Sequence, residues 1–112
     1  MLGDKGLLEN VTLKCAKAEA LPFATHRFDL VLSVLSLHHL SDPVRGLREM
    51  CRVLAPKGKM IIADWKPVKS PVVPHAEKDI PSPQFLKQEL GLLGFSAKVH
   101  QSRYWYVADL TR

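Results

Sequence analysis

Two adjacent histidines, His38 and His39, are the residues of this sequence best suited to acid–base chemistry, because imidazole is the side chain that titrates nearest neutrality. They follow an apolar run (Leu30, Val31, Leu32, Val34 and Leu35) and precede Ser41-Asp42-Pro43. On a strand-to-helix loop the pair has two readings: one ring packed and one solvated, or a pair facing a bound cofactor or substrate. Adjacent histidines do not by themselves make a zinc site. Cys15 and Cys51 are too far apart, and outside any C-x-x-C pair, to complete one or to build a disulfide framework. Two free thiols fit a reducing compartment. Asp64-Trp65 closes a second apolar run, as a wall for a substrate or as a Trp packed beneath the proline-rich stretch that follows. Tyr104, Trp105 and Tyr106 alternate along a strand, so one face belongs to a core. A nucleic-acid stacking platform would need exposed aromatics among basic residues, and only Arg103 is adjacent.

The elements that must position these residues follow from periodicity. Val11 to Ala16 alternates apolar and polar residues, as a short strand with one covered face does. Leu21-Pro22-Phe23 breaks it. Phe28 to Leu35 is nearly unbroken in its apolar character, which predicts a central strand of a parallel sheet covered on both faces. Ser41-Asp42-Pro43 supplies a helix cap with proline at the first helical position, where its missing N–H costs nothing. Val44, Leu47, Met50, Cys51 and Leu54 then form one apolar stripe, with Arg45, Arg48, Glu49 and Arg52 mostly toward water, until Pro56 and Gly58 end the helix. Lys59 to Trp65 is a second buried strand, completing a βαβ unit. Lys66 to Ile80 reads as a loop. Ser82-Pro83 repeats the cap-and-proline device before a helix carrying Phe85, Leu86, Leu90 and Leu93 and closed by Gly94, and Phe95 to His100 with Tyr104 to Leu110 makes a terminal antiparallel hairpin.

Bulk composition narrows the class. With 112 residues the chain holds one domain, short for a complete nucleotide-binding enzyme, and 46% hydrophobic with 24% charged residues excludes a disordered chain. The formal charge of +5 is scattered apart from Lys57, Lys59 and Lys66 to Lys69, so it describes a solvated surface and not a polyanion groove. No apolar run approaches the ~20 residues of a membrane span, and Met1 to Gly6 carries no apolar signal region, so the expected location is cytoplasmic.

Three segments then carry a resemblance: Ala18-Glu19-Ala20-Leu21-Pro22-Phe23; Phe28-Asp29-Leu30-Val31 running to His38-His39-Leu40; and Leu47 through Arg52-Val53-Leu54-Ala55-Pro56-Lys57-Gly58-Lys59. In order and spacing they resemble successive motifs of class I S-adenosylmethionine-dependent methyltransferases, nearest the ubiquinone/menaquinone-biosynthesis type. The resemblance implies an α/β, Rossmann-like fold with sheet order 3-2-1-4-5-7-6, of which this chain supplies strands 3 to 7 with the antiparallel hairpin at the end: one partial domain over residues 1–112. Ligands of open α/β sheets sit beyond the carboxyl ends of the strands. The resemblance therefore implies cofactor contact at Lys17 and Ala18 near the adenine, at Ser33 and Val34 near the methionine part, and at His38 in the same cleft. His38 or His39 would position or deprotonate a methyl acceptor. At Lys17 the family often carries Asp or Asn; lysine cannot accept a hydrogen bond from the adenine amino group.

The family's G-x-G-x-G loop and the acidic residue that holds the ribose have no counterpart in the sequence; Gly3 and Gly6 do not follow an apolar strand, and Leu7-Leu8-Glu9-Asn10 resembles the end of a helix. In the family order, strands 1 and 2 separate strand 3 from strand 4. Their absence leaves an apolar edge on strand 4, to be closed by strand 3 or by a homodimer. The expectation is S-adenosylmethionine-dependent methyl transfer to a small molecule by the enzyme of which this is the carboxyl-terminal part, with weak or no cofactor binding and no activity in the chain alone. The alternatives are a non-catalytic α/β interaction module and an enzyme half that needs a partner; no metal, nucleic acid or membrane is expected.

Overall fold

A computed structural model describes residues 10–67 and 81–112. In chain order these form strand β1 (Phe28–Val34), a single 3-10 turn (Leu37–His39), helix α1 (Pro43–Val53), strand β2 (Leu54–Trp65), helix α2 (Pro83–Gly91), and strands β3 (Ser96–Gln101) and β4 (Trp105–Thr111). The four strands form one sheet in the order β1-β2-β4-β3. β1 runs parallel to β2, and β4 is antiparallel to both β2 and β3. The βαβ unit and the terminal hairpin are both present, and the strand order equals that expected for family strands 4-5-7-6. The reading of residues 7–9 as a helix end, and most of the stretch read as a loop before α2, lie outside the described residues.

Both helices start as their caps require. The Asp42 side chain accepts from the Arg45 N–H ahead of Pro43, and the Ser82 side chain accepts from the Phe85 N–H ahead of Pro83. Such a cap contributes about 1 kcal/mol. α2 ends where Gly94 turns left-handed at φ +89°, with the Phe95 N–H on the Leu90 carbonyl and the Gly94 N–H on that of Gly91. This is a Schellman closure, and a side chain at Gly94 would strain it. Leu47, Met50 and Cys51 of α1 and Leu86 and Leu90 of α2 then share one core with Met60, Ile62, Tyr106, Ala108 and Leu110 of the sheet. Along β4 the alternation is clean, with Tyr106, Ala108 and Leu110 buried and Trp105 exposed.

Three expectations need correction. Val11 to Ala16 is not a strand: the segment is exposed, Leu13 at 76%, and among the described residues no neighbouring strand offers it hydrogen bonds. Alternation is compatible with a strand but does not create the partner that a strand requires. Phe28 to Leu35 is not a central strand but an edge. Among the described residues nothing pairs with its outer side, and Leu30, Leu32 and Val34 remain 50–58% exposed. Nor do Pro56 and Gly58 end the first helix. It ends at Val53, and both residues lie within β2, where the register with β1 jumps from Phe28–Leu54 to Leu30–Lys59. A bulge is where a strand tolerates a proline, which has no N–H to give the ladder.

Gly58 is required in that bulge by space. A Cβ there would sit 2.9 Å from the Asp29 carbonyl oxygen and against the Leu54 side chain. Gly58→Ala is therefore expected to destabilise the fold by about 1–3 kcal/mol, as overpacking generally does. Urea unfolding that matched the parent midpoint would show that the bulge has room to spare.

Candidate functional site

The carboxyl ends of β1 and β2 are tied together by one buried carboxylate. Asp64, 1% exposed near the end of β2, receives the His38 ring Nδ1 on Oδ1 at 2.6 Å and the His38 backbone N–H on Oδ2 at 3.1 Å. The Trp65 N–H also donates to Oδ1, at 2.8 Å. A buried carboxylate requires such donors, because desolvation otherwise costs it several kcal/mol. An ionised Asp64 only accepts, so Nδ1 of His38 carries the proton. Tyr106 stands directly opposite Asp64 on β4; burial, and then the Asp64 charge, push its phenol well above the usual tyrosine range. The Leu35 N–H adds a bond to the Ala63 carbonyl where β1 turns off at φ +52°.

This arrangement separates the two histidines. His38 is buried and His39 is exposed, their rings 4.0 Å apart. His39 borders an open cleft of about 500 Å³ with Lys17, Glu19, Ala20, Asp42 and Arg45. Ala18 and Ser33 border a second, more apolar groove of about 340 Å³ with Leu21, Phe23, Phe28 and Met50. Val34 is exposed at the end of β1. The structure thus gathers Lys17 and His39 in one cleft and Ala18 and Ser33 in the next. His38 lines neither cleft. Among the described residues no cluster of three or more His, Cys, Asp or Glu could hold a metal ion, and no helix is long and apolar enough to cross a membrane.

Among the described residues no strand pairs with segment 17–26, and α1 does the holding. Arg52 donates to the Phe23 and Leu21 carbonyls at 2.9 and 3.1 Å and to both Glu49 oxygens, while Glu49 accepts the Leu21 N–H at 2.9 Å. The Arg52 carbonyl accepts from the His26 N–H. The hydrogen bonds of the Arg52 guanidinium hold the Glu49 carboxyl down at about 2, helped by the Leu21 amide and opposed by burial. A helical stripe shows which face is apolar but not what lies over the polar one, so Glu49 and Arg52 read from sequence as belonging to a mostly water-facing set. Sequence reasoning likewise missed Asp64 as the partner of His38, because the two are brought together only when β1 and β2 pair.

With this geometry established, comparison with known proteins assigns the family. Residues 2–62 match the model of the methyltransferase domain family. Over 68 residues the chain is 40% identical to the ubiquinone/menaquinone biosynthesis C-methyltransferase UbiE of Shewanella frigidimarina, covering 61% of this chain but 27% of that protein. A SAM-dependent methyltransferase from Aquifex aeolicus superposes with a TM-score of 0.79 at 22% identity, over 97% of this chain and 58% of that one. The [4+2]-cyclase SpnF superposes at 0.76 and 17% identity, over 96% of this chain and 58% of its own. The site lies on a class I methyltransferase fold. The chain belongs to the methyltransferase domain family, whose cofactor is S-adenosylmethionine, and it spans between about a quarter and three-fifths of these relatives.

Two measurements check the local chemistry. Because the Glu49 pKa is depressed on folding, its tether is fully present above the ordinary value of 4.5 and is lost as the pH falls toward 2. Amide exchange at Leu21 should therefore accelerate across that window beyond its intrinsic pH trend, and Glu49→Gln should abolish the excess. Burial pushes the Cys51 thiol up to about 11, against the Arg112 charge, whereas Cys15 is exposed. A thiol reagent at pH 8 should label Cys15 at once and Cys51 only after urea is added. Rapid labelling of both in the native chain would contradict the burial of Cys51.

Proposed function

We propose that this chain forms one wall of an S-adenosylmethionine-dependent methyltransferase acting on a small molecule, and that the wall is inactive alone. The observation that carries this is the coincidence of the strand ends of β1 and β2, the Asp64–His38 contact and the adjoining cleft at the place where open α/β sheets take their ligands. Fold alone is a weak guide to chemistry, as the cyclase with the same architecture shows. The residues present suit one side of S-adenosylmethionine. Lys17 and Arg45 stand with Glu19 and Asp42 around an open cleft, charges of both signs for a ligand that carries both. Ala18 and Ser33 line the apolar groove beside it, where an adenine or a methylene chain would be desolvated. S-adenosylmethionine, when bound, supplies an electrophilic methyl on a sulfonium. The protein's task is then to align the acceptor and, where the acceptor must lose a proton, to take it up. His39, exposed in the cleft, is placed for that; His38, held by Asp64, supports from behind.

The glycine-rich wall has no counterpart here, so the open side of β1 is the place where it would pair. The small-molecule class of acceptor is suggested by the UbiE-type relative and by the modest size of the cleft. The same edge suits a second copy as the alternative occupant. Antiparallel self-pairing about Val31 sets Leu30 against Leu32 and Phe28 against Val34, with no like charges opposed. Calorimetry with S-adenosylmethionine should show weak or no binding to the chain alone, and micromolar affinity would overturn its incompleteness. Sedimentation separates the occupants: a concentration-dependent dimer lost in Leu32→Lys favours the second copy, and a monomer throughout favours a glycine-rich half.

A further inference from the structure

We infer that Asp64 and His38 are positioning residues whose pairing fixes where His39 stands in the ligand cleft. The inference rests on the transferase reading of that cleft and goes beyond it by assigning a role to two residues that do not line it. Asp64 binds His38 twice, through its ring and through its backbone N–H, so it fixes the orientation of the imidazole and the path of the chain together. That chain is a single 3-10 turn, Leu37–His39, too short to hold itself by its own two bonds, from the His39 N–H to Ser36 and from the Leu40 N–H to Leu37. It leaves β1 through a left-handed residue, Leu35, a conformation that persists only where the surroundings impose it.

The chain of contact continues to the cleft. The His38 ring lies against that of His39 at 4.0 Å between centroids, and His39 borders the cleft with Lys17, Asp42 and Arg45. Leu37 is completely buried in the core on one side of the turn, so the turn is pinned from below by packing and from the strand end by Asp64. With packing alone the turn keeps its place but not its orientation, because apolar contact is non-directional whereas the bidentate carboxylate contact is not. Tyr106, directly across from Asp64, adds a buried wall that keeps water from competing for the carboxylate.

The test needs no cofactor, so its failure and the failure of the transferase reading are told apart. Amide exchange and the His39 imidazole resonances are followed in the full chain for the parent, Asp64→Asn, His38→Phe and His38→Gln, the last keeping a donor for Asp64. The expected result is that the His38, His39 and Leu40 amides exchange at least about tenfold faster in Asp64→Asn and His38→Phe, with the His39 ring signals displaced. Amides of Ile62 and Leu110 keep parental rates, and His38→Gln restores the turn. Unchanged exchange at the turn would overturn the inference, as would a uniform acceleration reaching Ile62 and Leu110, which would make Asp64 a general stabiliser. Should Asp64→Asn fail to fold, the two His38 variants decide by the same readouts.

Discussion

A strand satisfies its backbone on two sides or leaves one side open, and β1 leaves one open. Its inner side pairs with β2 from Leu30 to Val34, and its outer side meets no strand among the described residues. The consequences reach most of the molecule. Segment 11–16, which alternates like a strand, has no ladder to join and lies exposed. The stretch from Leu21 to His26 is held instead by two polar side chains of α1, Glu49 and Arg52. Separately from that edge, Leu30, Leu32 and Val34 alternate along β1 and so share one face of the sheet, which stands half in water. Long apolar edges of this kind recruit further strands, and class I methyltransferase domains place three more at this position.

The opposite edge of the sheet, β3, belongs to the terminal hairpin and is polar where β1 is apolar. The β3–β4 hairpin and the two capped helices enclose one buried core around Leu47, Ile62, Tyr106 and Leu110. The ligand end is built where the two regimes meet. There the Asp64 carboxylate joins the well-packed β2 to the exit from the open β1, and the clefts are lined by residues of β1 and of the segments that flank it. The chain superposes on one of its relatives over 97% of its own length while covering 58% of that protein.

Much of the fold could be read from local rules. Ser82-Pro83 and Asp42-Pro43 announce helices because capping is a contact between near neighbours in sequence, and the clean alternation of Tyr106, Ala108 and Leu110 announces a one-sided strand for the same reason. What could not be read depended on partners. The apolar run of β1 carries the memory of a central strand but not the presence of its neighbours, and Pro56 and Gly58 look like a helix stop until the bulge against Asp29 is seen. At the site, a histidine pair with one ring packed and one solvated was legible, and which of the two is packed, and against what, was not. The packed ring, His38, pairs with Asp64, which lies 26 residues away in sequence.

If the open side of β1 is a pairing surface for a glycine-rich half of a methyltransferase domain, its backbone must respond to that half. The most direct measurement of that pairing is amide exchange along Phe28–Val34 in this chain, with and without a separate polypeptide carrying a strand followed by G-x-G-x-G. The alternate amides facing the open edge should exchange freely in the chain alone and become protected when that polypeptide is added. Unchanged exchange along β1 in the presence of a folded, saturating partner would contradict it.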